Sequence, residues 1–391
     1  MKEIRVGIIG IGNMGYAHAL CVADNQIKGI KLTAVCDINS ERIEKFKEEY
    51  PNVKTYTDYN DLLQSGEVDA VIIAVPHPLH SEIAIKAFEN SLHVMLEKPA
   101  DIAVSKVERL NETACKSNKV FAIMFNQRTN PLFAKAREIV NGGLLGELKR
   151  TVWIVTNWYR TQSYYDSGSW RATWSGEGGG VLLNQAPHNL DLWQWICGMP
   201  DSVTAYCDIA KYHNIEVEDD VTIITRYKNG AVGTFITTTG EYPGTNRLEI
   251  SGSKGKIVIE NKTLKWWKLK ADEREVCKTS PEGFVNIETE YTEITQNTQE
   301  SAHKGILQNF ANAILFGEEL ISPGTDGIFE LTISNAAYLS SWQGNKEISL
   351  PFDTQAFDKL LNKLISVSKG QNSNRIHTAT KGYNERWQVR W

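Results

Sequence analysis

A lysine at a strand end and a histidine in a glycine-led segment are the groups in this chain best suited to move a proton. Lys98 stands in Glu97-Lys98-Pro99, directly after the β-rich run His93 to Leu96. An amine there can hydrogen-bond a reacting hydroxyl, and if partial burial and a cationic neighbour lower its pKa it can assist in removing the proton. The competing reading is a solvated lysine in a proline-ended turn. His188 lies in the run Gly178-Gly179-Gly180-Val181-Leu182-Leu183-Asn184-Gln185-Ala186-Pro187-His188-Asn189-Leu190-Asp191. If that run is helical, Asn184, His188 and Asp191 fall at i, i+4 and i+7 on one face, and Pro187 is tolerable only in the first turn. His188 is then a candidate general acid or base, because an unperturbed imidazole titrates near neutral pH. A satisfied structural histidine is the competing reading.

A third motif says what such groups would work beside. Gly10-Ile11-Gly12-Asn13-Met14-Gly15 follows the strand Ile4 to Ile9 and opens a helix. Glycines there allow a tight turn, close approach of backbone N–H groups to a pyrophosphate, and helix-to-strand packing. The next strand ends in Asp37, 22 residues beyond Gly15, where a carboxylate would accept hydrogen bonds from an adenosine ribose. Together they predict a dinucleotide site; a capped glycine turn that binds nothing is the alternative. A carboxylate beside the 2′ position repels the extra phosphate of NADP, so NAD is expected, although Ser40 and Arg42 could wrap that phosphate if Asp37 turned away. Ligands bind at the carboxyl ends of parallel strands. Pro76, His77 and His80 after the strand Ala70 to Val75, and Glu97 and Lys98 after His93 to Leu96, therefore face the same crevice as the glycine loop.

Upstream of the triple glycine lies an aromatic loop of Trp158, Tyr159, Tyr164, Tyr165, Trp170 and Trp174, with Arg160 and Arg171. Flat aromatic faces suit the C–H faces of sugar rings, with polar groups setting orientation. Trp158, Tyr159, Trp170 and Arg171 are thus candidate substrate contacts; a buried or interface cluster is equally open.

The elements that must hold these residues fall into two rhythms. From 4 to 125, apolar strands (Ile4 to Ile9, Leu32 to Cys36, Ala70 to Val75, His93 to Leu96, Val120 to Phe125) alternate with amphipathic segments, which predicts an α/β, doubly wound parallel sheet. After about 145, alternating strands at Lys149 to Thr156, Val203 to Cys207, Val221 to Tyr227, Ala231 to Thr238, Arg247 to Ser251 and Lys256 to Ile259 predict a largely antiparallel open sheet. The expected division is a dinucleotide-binding domain over 1–126, an α+β domain over 127–365 that binds substrate and mediates oligomerisation, and a polar tail over 366–391 in which Trp387 and Trp391 could reach across an interface.

Composition narrows the partners. A chain of 391 residues is longer than one core usually grows. Its net charge of −5 comes from interspersed acids and bases, which suggests neither a nucleic-acid footprint nor a membrane patch. Six scattered cysteines form no C-x-x-C pair, and eight histidines are too dispersed for a zinc site. No apolar run approaches a membrane span and no signal-peptide pattern opens the chain, so the cytoplasm is the expected compartment. Tyr50-x-x-x-Lys54 imitates a short-chain dehydrogenase motif, but Pro51 denies it the helix.

In order and spacing, the glycine loop, Glu97-Lys98-Pro99, Asn126-x-Arg128 with Pro131, Trp170-Arg171, and the Gly178 to Asp191 segment resemble the Gfo/Idh/MocA oxidoreductase family, from Ile4 to about Leu350. The resemblance implies an NAD(P) cofactor and reversible oxidation of a secondary alcohol on a sugar or cyclitol such as an inositol. It also implies a catalytic group of Lys98, position 184 and His188, with Asn126 at the cofactor, Arg128 at the substrate, a cis peptide before Pro99, and a homo-oligomer, dimer or tetramer. Many members carry aspartate where this chain has Asn184, and an amide can position a hydroxyl but cannot exchange a proton as a carboxylate can. The expected activity is hydride transfer from a ring hydroxyl to NAD⁺. Transient oxidation coupled to glycoside elimination, or a silent NAD-binding sensor, are the alternatives.

Overall fold

The structure, a computed structural model, describes residues 3–296 and 301–369; the expected tail lies outside the described residues from 370 onward, Trp387 and Trp391 included. Six parallel strands form the first sheet: β1 (Ile4–Ile9), β2 (Ile30–Cys36), β3 (Lys54–Tyr56), β4 (Ala70–Ile73), β5 (His93–Leu96) and β6 (Phe121–Ile123). Their order is β3-β2-β1-β4-β5-β6, so the chain works outward from β1, then crosses to β4 on its other side. That reversal between β1 and β4 opens the crevice in which doubly wound sheets take ligands. The apolar runs predicted as strands are buried on both faces: Val6, Ile8, Val71, Ile73, Val94 and Met95 have no exposed surface. β3 was not foreseen, since three residues at a sheet edge are too few to show a period.

A second sheet has nine strands: β7 (Leu148–Val155), β8 (Ser202–Ile209), β9 (Glu218–Arg226), β10 (Val232–Thr238), β11 (Asn246–Gly252), β12 (Gly255–Glu260), β13 (Thr263–Leu269), β14 (Thr289–Thr295) and β15 (Ile348–Ser349). They run in the order β14-β13-β12-β11-β7-β10-β9-β8-β15. Among the described residues of this sheet only the β7–β10 pair is parallel, as in the Phe235–Trp153 register, so the expected antiparallel open sheet is mixed at its centre. Alternation is clean: Trp153, Val155, Ile223, Phe235, Leu248 and Ile250 are buried, while Val152, Ile154, Thr222, Thr234 and Ile236 between them stay partly open. The last turns of the helix Gly327–Trp342 cover the buried face, where Ser340 Oγ accepts from the Ala205 N–H at 2.9 Å. β14, at the sheet edge, and β13 beside it escaped the sequence reading because charged residues and exposure, as in Thr-Glu-Tyr-Thr-Glu-Ile-Thr, blunt the alternation.

The chain's contacts gather into two compact units that do not follow the linear division at 126. The first comprises the chain to Glu138, Pro187–Gly198 and Gln296–Thr332; the second comprises Ile139–Ala186, Met199–Thr295 and the chain from Ile333. A reading along the chain cuts where the rhythm changes and has no means of registering a return.

Candidate active site

In the first unit the glycine loop is built as its residue types require. Gly10 has φ +85°, and a Cβ there would meet the Ala74 carbonyl oxygen at 2.5 Å. A Cβ on Gly15 would lie 1.7 Å from the Gly10 oxygen, so the helix Asn13–Ala23 can start against the loop only with glycine. At Gly12 a Cβ would meet nothing nearer than Arg42 Nη1 at 3.8 Å, which leaves its backbone open to a bulky group such as a phosphate. Asp37, 6 % exposed at the end of β2, accepts from the Ile11 N–H at 2.9 Å and the Asn39 N–H at 2.8 Å, which fixes it beside the loop. Arg42 Nη1 approaches it at 3.4 Å but is itself half-exposed. Asn126, 1 % exposed, keeps both side-chain amide atoms without a hydrogen-bond partner among the described residues. Buried polar groups are rarely left so. An open glycine cradle, a carboxylate at the end of β2 and an unsatisfied amide after β6 all fit a dinucleotide.

A cluster of titratable groups surrounds the end of β5. Glu97, fully enclosed, accepts from His18 Nε2 at 2.7 Å, and its second oxygen accepts from the Lys98 backbone N–H at 3.2 Å. Burial alone would push this carboxyl up. The hydrogen bond to His18 and the charges of His18, His303 and Lys98 outweigh it and hold the carboxyl at about 2. His303, on the helix Ala302–Phe316 with its ring centroid 5.8 Å from that of His18, is driven down to about 4, mostly by burial. His188 is held well below its usual value by burial first, then by the charge of Lys98 and, when protonated, of His303. It is therefore a neutral imidazole at neutral pH, able to accept a proton. The peptide between Lys98 and Pro99 is cis, as the resemblance implied.

His80, expected at the cofactor, is bonded to two backbone carbonyls. Its Nδ1 lies 2.7 Å from the Pro99 carbonyl and its Nε2 2.8 Å from the Val75 carbonyl, so the ring ties together the turns that follow β4 and β5. His77, nearly as buried, lies in the short turn His77–Leu79 with its ring 5.9 Å from that of His80, and Pro76 precedes that turn.

Arg128, expected at the substrate, is committed within the protein. Its Nε and Nη2 make a bidentate pair with Asp191 at 2.9 and 2.7 Å, and Nη1 reaches Asp326 at 2.7 Å. The pair pins the helix Pro187–Cys197, and with it His188, to the segment after β6. The run from Val181 to Asp191 is not one helix. A single turn, Val181–Asn184, ends where Gln185 and Ala186 both bond back to Val181, and a new helix starts at Pro187, whose missing N–H is harmless only there. The expected common face for Asn184 and His188 is therefore interrupted at residues 185 and 186.

In the second unit the aromatic loop divides. Trp158, Tyr164, Tyr165 and Trp174 are buried, and Trp174 packs edge-on to Tyr338 and Trp342 at 5.8 and 5.6 Å. Tyr159 and Trp170 remain exposed by 47 % and 38 %, which leaves these two as the loop's accessible faces. Arg171 lies between the Tyr164 and Trp170 rings, 4.6 Å from each centroid, and donates to the Tyr164 hydroxyl at 2.9 Å. Asn184 donates to the Glu177 carboxylate, and its Oδ1 accepts from Gln185 Nε2 at 3.2 Å and Tyr164 at 3.4 Å. Glu218 supports the triple glycine from below, accepting from the Gly180 N–H at 2.9 Å, the Leu182 N–H at 3.0 Å and the Tyr338 hydroxyl at 2.7 Å.

Several of the groups just described were not foreseen. His18, three residues past Gly15, could have been found as a polar residue on the buried side of the first helix. His303, Glu177 and Glu218 carry no local signal, because each acts on residues distant in sequence or across an irregular loop.

An open phosphate cradle at the switch point of a six-stranded parallel sheet, beside a lysine and a neutral buried histidine, defines a nicotinamide-dependent oxidoreductase. Residues 4–125 match the oxidoreductase family with the NAD-binding Rossmann fold, and residues 133–258 match the GFO/IDH/MocA C-terminal domain. The chain belongs to the Gfo/Idh/MocA family. It is 27 % identical to myo-inositol 2-dehydrogenase of Thermotoga maritima over 85 % of this chain and 95 % of that one. It is also 27 % identical to an alpha-N-acetylgalactosaminidase of Shewanella oneidensis, over 62 % of this chain and 51 % of the other. Among solved structures, the WlbA dehydrogenase of Bordetella pertussis in complex with NADH and UDP-GlcNAcA superposes with a TM-score of 0.75 at 25 % identity, covering 90 % of this chain and 100 % of that one. No helix among the described residues is long and apolar enough to cross a membrane.

Proposed function

We propose that this chain is an NAD-dependent dehydrogenase that oxidises a secondary hydroxyl of a sugar, sugar derivative or cyclitol. The observation that carries the reading is a neutral, buried His188 within the electrostatic reach of Lys98 at the carboxyl end of β5. When bound, NAD⁺ supplies the hydride acceptor. Lys98 donates a hydrogen bond to the substrate hydroxyl, and its ammonium stabilises the negative charge that gathers on that oxygen. His188 accepts the hydroxyl proton, and the Glu97 carboxylate favours the imidazolium that results. The Gly10–Gly15 loop, Asp37 and Asn126 bind the cofactor, and Asp37 favours NAD over NADP. Within the second unit, the exposed faces of Tyr159 and Trp170 and the partly open Asn184 amide are the candidate polyol contacts.

NADH absorbance on mixing the protein with NAD⁺ and a panel of inositols, free sugars and glycosides tests this, with Lys98→Ala as control. Growth with one substrate class, lost in the variant, is expected. Glycoside cleavage without NADH accumulation would instead favour transient oxidation coupled to elimination, a reading supported by the glycosidase relative. NAD binding with no turnover of any panel member would mean a sensor. We further infer a homo-oligomer through the open face of the nine-stranded sheet, where Tyr206 and Ile224 are exposed by 52 % and 38 %; a monomer mass by light scattering at micromolar concentration would rule it out.

A further inference from the structure

Asn184 carries no charge, yet a carboxylate stands directly behind it. Glu177, 2 % exposed, receives the Asn184 amide N–H₂ on one oxygen and the Ala172 N–H on the other at 2.5 Å, and Arg171 Nη1 lies 3.8 Å away. An ionised carboxylate only accepts, so it must face the nitrogen end of the amide. The carbonyl end is thereby turned to Gln185 Nε2 and to the Tyr164 hydroxyl, which is itself held by Arg171. Tyr164, Arg171, Glu177 and Gln185 are all buried, and Asn184 alone of the five is partly open. A buried polar circuit thus has one partly open member, the Asn184 amide.

We propose that Glu177 is a positioning residue that fixes the orientation of the Asn184 amide and supplies, one side chain back, the negative charge that position 184 lacks. The inference rests on the dehydrogenase reading and adds to it the group that sets how Asn184 meets a polyol hydroxyl. The rival explanation is that Glu177 only holds the turn at Ala172, whose φ is +51°. The two differ in what a neutral isostere does. An amide at 177 has one accepting oxygen for two donors, so either the turn or Asn184 loses its partner. Moving the carboxylate to 184 instead restores one charge and one amide in contact.

The experiment measures kcat, KM and the pH profile of kcat/KM, with melting temperatures, for the parent, Glu177→Gln, Asn184→Asp and the transposed double variant, on whichever panel polyol the parent oxidises. Glu177→Gln is expected to lower kcat by at least tenfold with a smaller change in KM. Asn184→Asp, which sets two carboxylates side by side, is expected to add an ionisation to the profile. The double variant is expected to recover kcat to within about threefold of the parent. A Glu177→Gln protein that melts lower but keeps the parental kcat and pH profile overturns the proposal, as does a double variant no better than the worse single one. If Glu177→Gln does not fold, the transposed double variant against Asn184→Asp carries the test, and a folded double variant no better than Asn184→Asp overturns the proposal. A parent that reduces no NAD⁺ with any polyol overturns the dehydrogenase reading and this inference with it; an active parent with an indifferent Glu177 overturns this inference alone.

Discussion

Glu97 and Glu218 are both enclosed, 6 % and 1 % exposed, yet the protein treats them in opposite ways. Burial pushes each carboxyl up. At Glu97 two histidines and a lysine reverse the push and leave the group near 2; at Glu218 three donors, two backbone N–H groups and a tyrosine hydroxyl, reduce it only in part and leave the group near 7. The difference shows that enclosure alone does not set a charge state; the presence of cationic neighbours does. It also separates two purposes. The surroundings of Glu97 include Lys98 and His188, the groups proposed to handle the substrate proton, whereas Glu218 bonds to the glycine loop.

If that division is right, the largest effects on turnover come from the first region. His188→Ala is expected to lower kcat by roughly 10²- to 10⁴-fold, the usual worth of a general acid or base, with NADH binding measured by fluorescence titration retained. Retained turnover would place the proton acceptor elsewhere. Next in size, Glu97→Gln removes a carboxylate whose folded value lies near 2 against an ordinary 4.5. That depression adds stability above pH 4.5 which is lost as pH falls toward 2, up to about 3 kcal/mol when fully present. Urea unfolding should therefore show a deficit for the variant that is widest near pH 7 and shrinks in acid.

The first region was largely legible in the sequence and the second was not, for a physical reason. Gly10, Gly12, Gly15, Asp37 and Lys98 stand at strand ends or helix starts, and the period of the flanking apolar residues fixes where those ends fall. The loop from Trp158 to Ala186 has no such period. Its shape comes from side chains bonding to distant backbone, as Glu218 does to Gly180, 38 residues before it. Arg128 and Asp191 lie between the two cases: each was singled out in the chain, but their mutual pairing, which braces the His188 helix, is a long-range fact. The strands β13 and β14 escaped for the opposite reason: β14 lies at the sheet edge and β13 next to it, and charged residues there replace apolar alternation.

The smallest expected effect is the most direct test of the contrast between the two glutamates. In the unfolded chain Glu218 releases its proton near 4.5, in the folded chain near 7, so the parent loses stability as pH rises between those values and levels off above them. Glu218→Gln cannot ionise and so escapes that loss, but its amide nitrogen leaves one of the three donors without an acceptor, at a cost of about 1–3 kcal/mol at all pH values. The variant is therefore weaker than the parent at pH 5, and the gap closes toward pH 8. The same isosteric change thus produces a gap that widens with pH at Glu97 and narrows with pH at Glu218. Unfolding curves at pH 5, 6, 7 and 8 decide it. A gap that widened at both positions would mean that two N–H groups and a phenol hold a buried carboxylate ionised as well as the His18 and Lys98 side chains do, and the distinction drawn between the two regions would fail.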